Sequence, residues 1–252
     1  MPLSTNNILK SAIAAAIFLS VAAPTALSAQ PDPLSGAYVA GAYASYSLRE
    51  GYRKYDGIDK YRHIDDTNPF IFGGVLGKRF ALGIPWLRLQ ATAEGAWGTV
   101  KDGDFYVVEP TNGDNILASL YSVYTTGGLA AEAHLLFPAD GYTYFISAGL
   151  GEHAILSSST LKTASGGKEI DWWDGGKTWA LSPSVNIGLG VDRVVNDRRA
   201  SSLSYNFRFW QSMQGRMVDE LFPMGVDYSE FLFTHMIQLQ VVLPAAGGRF
   251  RQ

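Results

Sequence analysis

The stretch TWALSPSVNIGLGVDR, residues 178–193, falls into two chemically separate sets when it is read two residues at a time. One phase is Trp179, Leu181, Pro183, Val185, Ile187, Leu189 and Val191. The other is Ala180, Ser182, Ser184, Asn186, Gly188, Gly190 and Asp192. A helix, with about 3.6 residues per turn, would mix the sets on every face; a strand sends alternate side chains to opposite faces. The stretch therefore reads as a β-strand with one apolar and one small, polar side.

The same pattern recurs outward along the chain. In residues 86–99, Leu87, Leu89, Ala91, Ala93 and Trp97 oppose Arg88, Gln90, Thr92 and Glu94. In 203–210, Leu203, Tyr205, Phe207 and Phe209 oppose Ser204, Asn206 and Arg208. In 231–243, Phe231, Phe233, Ile237, Leu239 and Val241 oppose Thr234, Gln238 and Gln240, with His235 interrupting the apolar phase. Residues 37–48, 70–80, 117–137 and 142–154 supply four less regular strands, which brings the total to eight. The connectors alternate. Residues 81–85, 138–141 and 194–200 are short; 49–68, 100–116, 155–177 and 211–229 are long and polar. Short turns on one side and long loops on the other are the asymmetry of outer-membrane barrels. The expected fold is all-β: an eight-stranded antiparallel up-and-down transmembrane β-barrel with four long outer loops and three short periplasmic turns.

Composition agrees with that class and excludes others. Among 252 residues there are 27 Gly, 13 Tyr, 13 Phe and 6 Trp, and only 17% are charged, against roughly 25% in soluble domains. The net charge of -3 lacks the basic excess of a nucleic-acid partner. The absence of Cys excludes a disulfide scaffold, a thiolate metal site, a Cys nucleophile and a lipidated N-terminus. No cofactor and no metal is called for. At the N-terminus Lys10 precedes the apolar run 11–23, Pro24 breaks it, and Ala26-Leu27-Ser28 follows as a small-x-small cleavage site. Residues 1–28 are thus expected to be a signal peptide, 29–36 a periplasmic linker, 37–244 the barrel and 245–252 a C-terminal tail. The destination is the outer membrane of a Gram-negative cell.

Which phase faces lipid follows from side-chain size. The polar phase is Ala, Ser, Gly and Asn, which fit the narrow interior of eight strands; a soluble exterior would carry many Lys and Glu. Aromatics collect near strand ends, as interfacial girdles require: Trp97, Trp179, Phe207, Phe209 and Phe231 at the outer rim, and Trp86, Phe137, Tyr142 and Tyr144 at the periplasmic rim. The interior then holds Arg88, Glu94, Glu132, His134, Asp192 and Arg208. Buried charges must be paired and hydrogen-bonded, so these six are expected to form a lumen polar network that plugs the barrel.

With this signal peptide, strand count, loop asymmetry and girdles, residues 37–243 resemble the small outer-membrane barrel group that includes the OmpA transmembrane domain, OmpX and the opacity proteins. The resemblance implies recognition by the barrel-assembly machinery, which in this group reads an aromatic residue ending the last strand. Here the last strand ends at Leu243-Pro244 and AAGGRFRQ follows, so Phe250 is near the end without being terminal. Some barrels of this kind modify lipid A, and His153, with Glu152 before it and Ser157, Ser158 and Ser159 beyond, is the candidate for activating a hydroxyl. It lacks the His-x-Ser-Asn pattern of the deacylases and reads better as a rim or lumen histidine. The loop with Asp56, Asp59, His63, Asp65 and Asp66 interleaves Arg53, Lys54, Lys60 and Arg62 and reads as a solvated surface. Asp171-Trp172-Trp173-Asp174 places two Trp in an outer loop, and Trp is enriched at binding hot spots. Trp172 and Trp173 are the loop recognition candidates. The favoured role is structural and interactive: adhesion, recognition or envelope integrity. Its partners would be outer-membrane lipid, lipopolysaccharide and an extracellular ligand or host surface. A lipid A-modifying enzyme and a narrow small-solute channel are the alternatives.

Overall fold

Alternating phases of this length have one low-energy arrangement in lipid. Every backbone N–H and C=O must be paired internally, so the strands must close on themselves. The computed structural model describes residues 32–55, 61–63, 70–108, 111–170, 177–217, 226–245 and 248–250. Its strands are β1 Tyr38–Tyr55, β2 Tyr61–His63, β3 Phe70–Ala81, β4 Leu87–Val108, β5 Asn115–Ala139, β6 Tyr142–Thr163, β7 Lys177–Asn196, β8 Arg199–Met217 and β9 Val226–Leu243. The long strands pair antiparallel in chain order, and β1 pairs β9 from Tyr38↔Leu243 to Tyr55↔Val226, which closes the ring. The fold is an eight-stranded barrel, with β2 as a short flap hydrogen-bonded to the outer part of β1.

The faces separate by phase. On β7, Ser182, Ser184, Asn186 and Asp192 are buried in the lumen, while Trp179, Leu181, Ile187 and Leu189 point outward. Leu76, Leu129, Leu150, Ile237 and Leu239 continue this exposed apolar belt around the barrel. An apolar exterior around a polar interior is the inverse of a soluble barrel. It makes this a membrane-spanning barrel of the outer-membrane type. Tyr142 and Tyr144 at one end and Trp97 and Trp179 at the other are exposed on the outer surface, where amphipathic rings favour the headgroup level.

Turns at the periplasmic end are tight. Asp140 and Gly141 join β5 to β6, and Gly141 takes φ 82, a left-handed conformation that glycine adopts without a Cβ penalty. Asp197 and Arg198 join β7 to β8, where the Asn196 side-chain oxygen accepts from the Arg198 N–H.

One expectation changes. Much of what reads as polar loop is strand: β4 runs to Val108, β5 spans 25 residues, β6 reaches Thr163 and β8 reaches Met217. Backbone pairing does not require an apolar side chain, so a hairpin above the membrane continues after its hydrophobic alternation fades. Parts of the segments before and after the strands pack onto the barrel. Leu34, Ala37 and Phe250 pack with Val39, Ala200 and Val242 at the periplasmic mouth, and the Phe250 N–H donates to the Asp197 carbonyl at 2.7 Å. Isolated apolar side chains beside an open apolar mouth are driven into it.

Candidate functional site

The lumen is where the chemistry of this chain concentrates. Its lower storey is built on Asp192 of β7. Arg79 of β3 crosses the barrel to reach Asp192 through Nη1 at 3.2 Å and Nη2 at 3.1 Å, and its Nε donates to Gln90 at 2.9 Å. Arg88 of β4 donates through Nη2 to the same carboxylate at 2.7 Å. Its Nη1 reaches Asp32, in the segment before β1, at 3.4 Å. Two guanidiniums thus clamp one carboxylate in a site where all three side chains are at most 1% exposed. Charge-assisted bonds of this kind are the strong ones, and burial makes each depend on the others.

The upper storey is built on Arg208 of β8. Its Nη1 and Nη2 donate to the two oxygens of Glu94 on β4 at 2.7 and 2.9 Å, a bidentate fork. Its Nε donates to Asn186 Oδ1 at 2.7 Å. Glu132 joins the storeys: it accepts from Asn186 Nδ2 at 3.2 Å and faces His134 Nε2 at 3.3 Å. Arg88 Nη2 faces His134 Nδ1 at 3.1 Å. A guanidinium has only donors, so Nδ1 accepts and Nε2 carries the proton that Glu132 receives. Arg88, Glu94, Glu132, His134, Asp192 and Arg208 are therefore brought into one connected set. Residues 171–176, with Trp172 and Trp173, lie outside the described residues, as do residues 1–28, where a signal peptide is expected, and most of the acidic loop.

Gln90, Asn186 and His153, already marked by the sequence, belong to the same set, and so do Asp32 and Arg79, which do not stand out in it. Arg79 shares its phase with Ile71, Gly73, Val75 and Gly77, and its neighbour Lys78 is equally charged, so charge alone does not choose the inward one. Asp32 lies before the first strand, and only closure of the mouth brings it to Arg88.

Of the rim and lumen positions open to it, His153 takes the lumen one: it is 1% exposed. Its ring is 4.6 Å from Trp210, and a Cβ at Gly128 would run into it. Its hydroxyl neighbour is Ser184, at 3.5 Å from Nδ1, in place of Ser157–Ser159; its Nε2 is 3.5 Å from Glu94. Hydroxyl, imidazole and carboxylate in that order form a nucleophile relay. Here the carboxylate is saturated by Arg208 and the hydroxyl is 3% exposed. The arrangement ties β4, β6, β7 and β8 together across the lumen.

No protein-family model matches the chain, and no curated protein matches it in sequence. Solved structures similar to it include Ail, the attachment invasion locus protein of Yersinia pestis, at 10% identity over 81% of this chain and 99% of that one, with a TM-score of 0.24. Neisserial surface protein A is similar at 13% identity over 81% and 99%, with a TM-score of 0.30. The outer membrane protein AlkL is similar at 10% identity over 90% and 98%, with a TM-score of 0.44. The fold itself stands on the strand pairing.

Proposed function

We propose that this protein is a surface-interaction barrel of the Gram-negative outer membrane: the lumen is a brace, and the strand extensions outside the membrane carry the contacts. The observation that supports this most is the length of the outer hairpins. A membrane strand needs about 9–11 residues, yet β4, β5 and β6 have 22, 25 and 22. Their outer parts have a small core of their own, Ala118, Leu120, Leu161 and Ile170. The Ile170 N–H donates to the Leu161 carbonyl at 3.1 Å, and the Thr163 N–H to the Lys168 carbonyl at 2.7 Å. A stiff platform of this sort displays the loop that carries Trp172 and Trp173. Lipopolysaccharide and an extracellular or host surface are the partners in this reading, and the barrel-assembly machinery inserts the chain after signal-peptide-dependent export. The braced lumen favours this reading over a channel, and the saturated Glu94 favours it over an enzyme.

The test uses the full-length protein in proteoliposomes. Binding to lipopolysaccharide-coated and host-cell surfaces is compared between the native protein and Trp172→Ala/Trp173→Ala, with the heat-dependent gel shift confirming an intact barrel. The expected result is surface binding that the double substitution reduces about tenfold, the size of roughly 1.4 kcal/mol. Steady single-channel conductance in planar bilayers together with no surface binding would overturn the proposal.

A further inference from the structure

The lipid-facing phase of β6 carries one charged residue. Between Tyr144 of the periplasmic girdle and Leu156, which pairs with Trp179 of the outer girdle, that phase reads Ile146, Ala148, Leu150, Glu152 and Ala154. Glu152 is exposed, and among the described residues it is the one carboxylate on the outward surface between the girdles. The inward carboxylates differ. Asp192 and Glu94 each meet a guanidinium at 2.7 Å, and Glu132 meets His134 at 3.3 Å. No cation among the described residues lies within ion-pair distance of Glu152. An ionisable side chain at membrane depth is costly and marks a place where something pairs with it.

Glu152 lies in a groove. The antiparallel register sets Leu76, Ala93, Leu129, Glu152 and Pro183 in one outward row across β3 to β7. The row on its periplasmic side runs from Lys78 through Ala91 and Ala131 to Leu150. Both rows line an apolar groove of about 870 Å³ on the lipid-facing surface. The floor is low where Ala91, Ala93 and Ala131 carry only a methyl group, and the exposed side chains of Leu76, Leu129 and Leu150 stand beside it. Lys78 lies three strands from Glu152, about 14 Å at the usual strand spacing. Its ammonium is 5.2 Å from the Tyr38 ring and 5.7 Å from the Phe80 ring. It is held against the aromatics of the periplasmic end and leaves Glu152 uncompensated.

We propose that this groove binds a single-chain cationic amphiphile, a primary alkylammonium, with its head on the Glu152 carboxylate and its chain along the alanine floor. The apolar rows select a hydrocarbon chain, since they already face hydrocarbon. An ionised carboxylate has only acceptors, and in a medium without water it selects a partner that brings both donors and positive charge. The proposal goes beyond the surface role, which rests on the outer hairpins and not on the lipid-facing belt.

The chain has no Cys, so a single fluorophore can be placed at will. The full-length protein is labelled at Ala154→Cys, beside Glu152 on β6, or at Leu239→Cys, on the lipid-facing surface of β9, and reconstituted in phosphatidylcholine vesicles. The quenchers are stearylamine and stearyl alcohol, each carrying a nitroxide near its headgroup. The expected result is quenching at position 154 several-fold stronger by the amine than by the alcohol, with the two equal at position 239. Glu152→Gln abolishes the excess. Asp140→Asn, which removes the same charge from an exposed periplasmic turn, leaves it unchanged. Ala93→Phe, which fills the floor with the carboxylate in place, lowers it. The heat-dependent gel shift reports folding of each variant, and Glu152→Gln decides alone if Ala93→Phe does not fold. Equal amine-to-alcohol ratios at 154 and 239, or an excess that survives Glu152→Gln, overturns the proposal. A cross-linked dimer that depends on Glu152, with no excess for the amine, gives the groove to a second copy of the chain and overturns it as well.

Discussion

The polar network of the lumen and the apolar layer above it are held by different forces. In the lower one, Arg79 and Arg88 reach across to Asp192, and every long strand is paired on both sides. In the outer one, Val100, Tyr124, Ile155 and Trp210 replace ion pairs, and β7 leaves β8. Arg208–Glu94 marks the boundary. Crossed ion pairs tie walls three and four strands apart and tolerate no loss of a partner, because the survivor is a buried charge. Apolar contacts lose energy in proportion to area and leave nothing charged behind. The polar network is therefore rigid and fragile to substitution, and the apolar layer can open or repack.

Substitutions that break this contrast should rank accordingly. Asp192→Ala leaves two buried guanidiniums unpaired and should cost about 4 kcal/mol, read as a fall in the urea midpoint of the heat-dependent gel shift. Glu94→Met should cost about 3 kcal/mol, and Arg208→Met added to it should recover more than half, since an apolar pair replaces a stranded charge. If the double substitution is as unstable as the sum of the singles, Arg208 and Glu94 are not coupled. Phe250→Ala removes the buried ring of the periplasmic cluster and should cost about 2 kcal/mol. It should also speed trypsin cleavage near Arg249, whose side chain lies 3.5 Å from Asp197. A tail with unchanged cleavage would show that Phe250 does not hold the mouth.

The finest test uses neighbouring glycines. Gly128 faces the lumen, where a Cβ would meet His153 and the Glu152 carbonyl; Gly127 faces outward with nothing nearer than 3.8 Å. Gly128→Ala should cost about 2 kcal/mol by overpacking, and Gly127→Ala less than about 0.5 kcal/mol. Similar midpoints for the two would contradict the assigned faces.

Strand count, phase and loop asymmetry were legible because they are local. Two-residue alternation is written in Trp179 to Val191, and closure follows from the need to pair every backbone group in lipid. The inward charges Arg88, Glu94 and Asp192 were legible for the same reason: each sits in the polar phase of a clean strand. Arg79 was not, because its phase is otherwise apolar or glycine. His153 was left between rim and lumen because chain position does not tell how far a strand continues beyond the bilayer.

What the sequence determined by itself is therefore the periodicity, and with it the barrel and its inside-out polarity. Partnership was decided only in three dimensions. That Arg79 meets Asp192, that Ser184 is the hydroxyl beside His153, that Asp32 and Phe250 close the mouth and that β8 leaves β7 at Pro183 all depend on the register of closure. Closure sets which residues of strands on opposite walls share a height, and no local pattern in the chain encodes that.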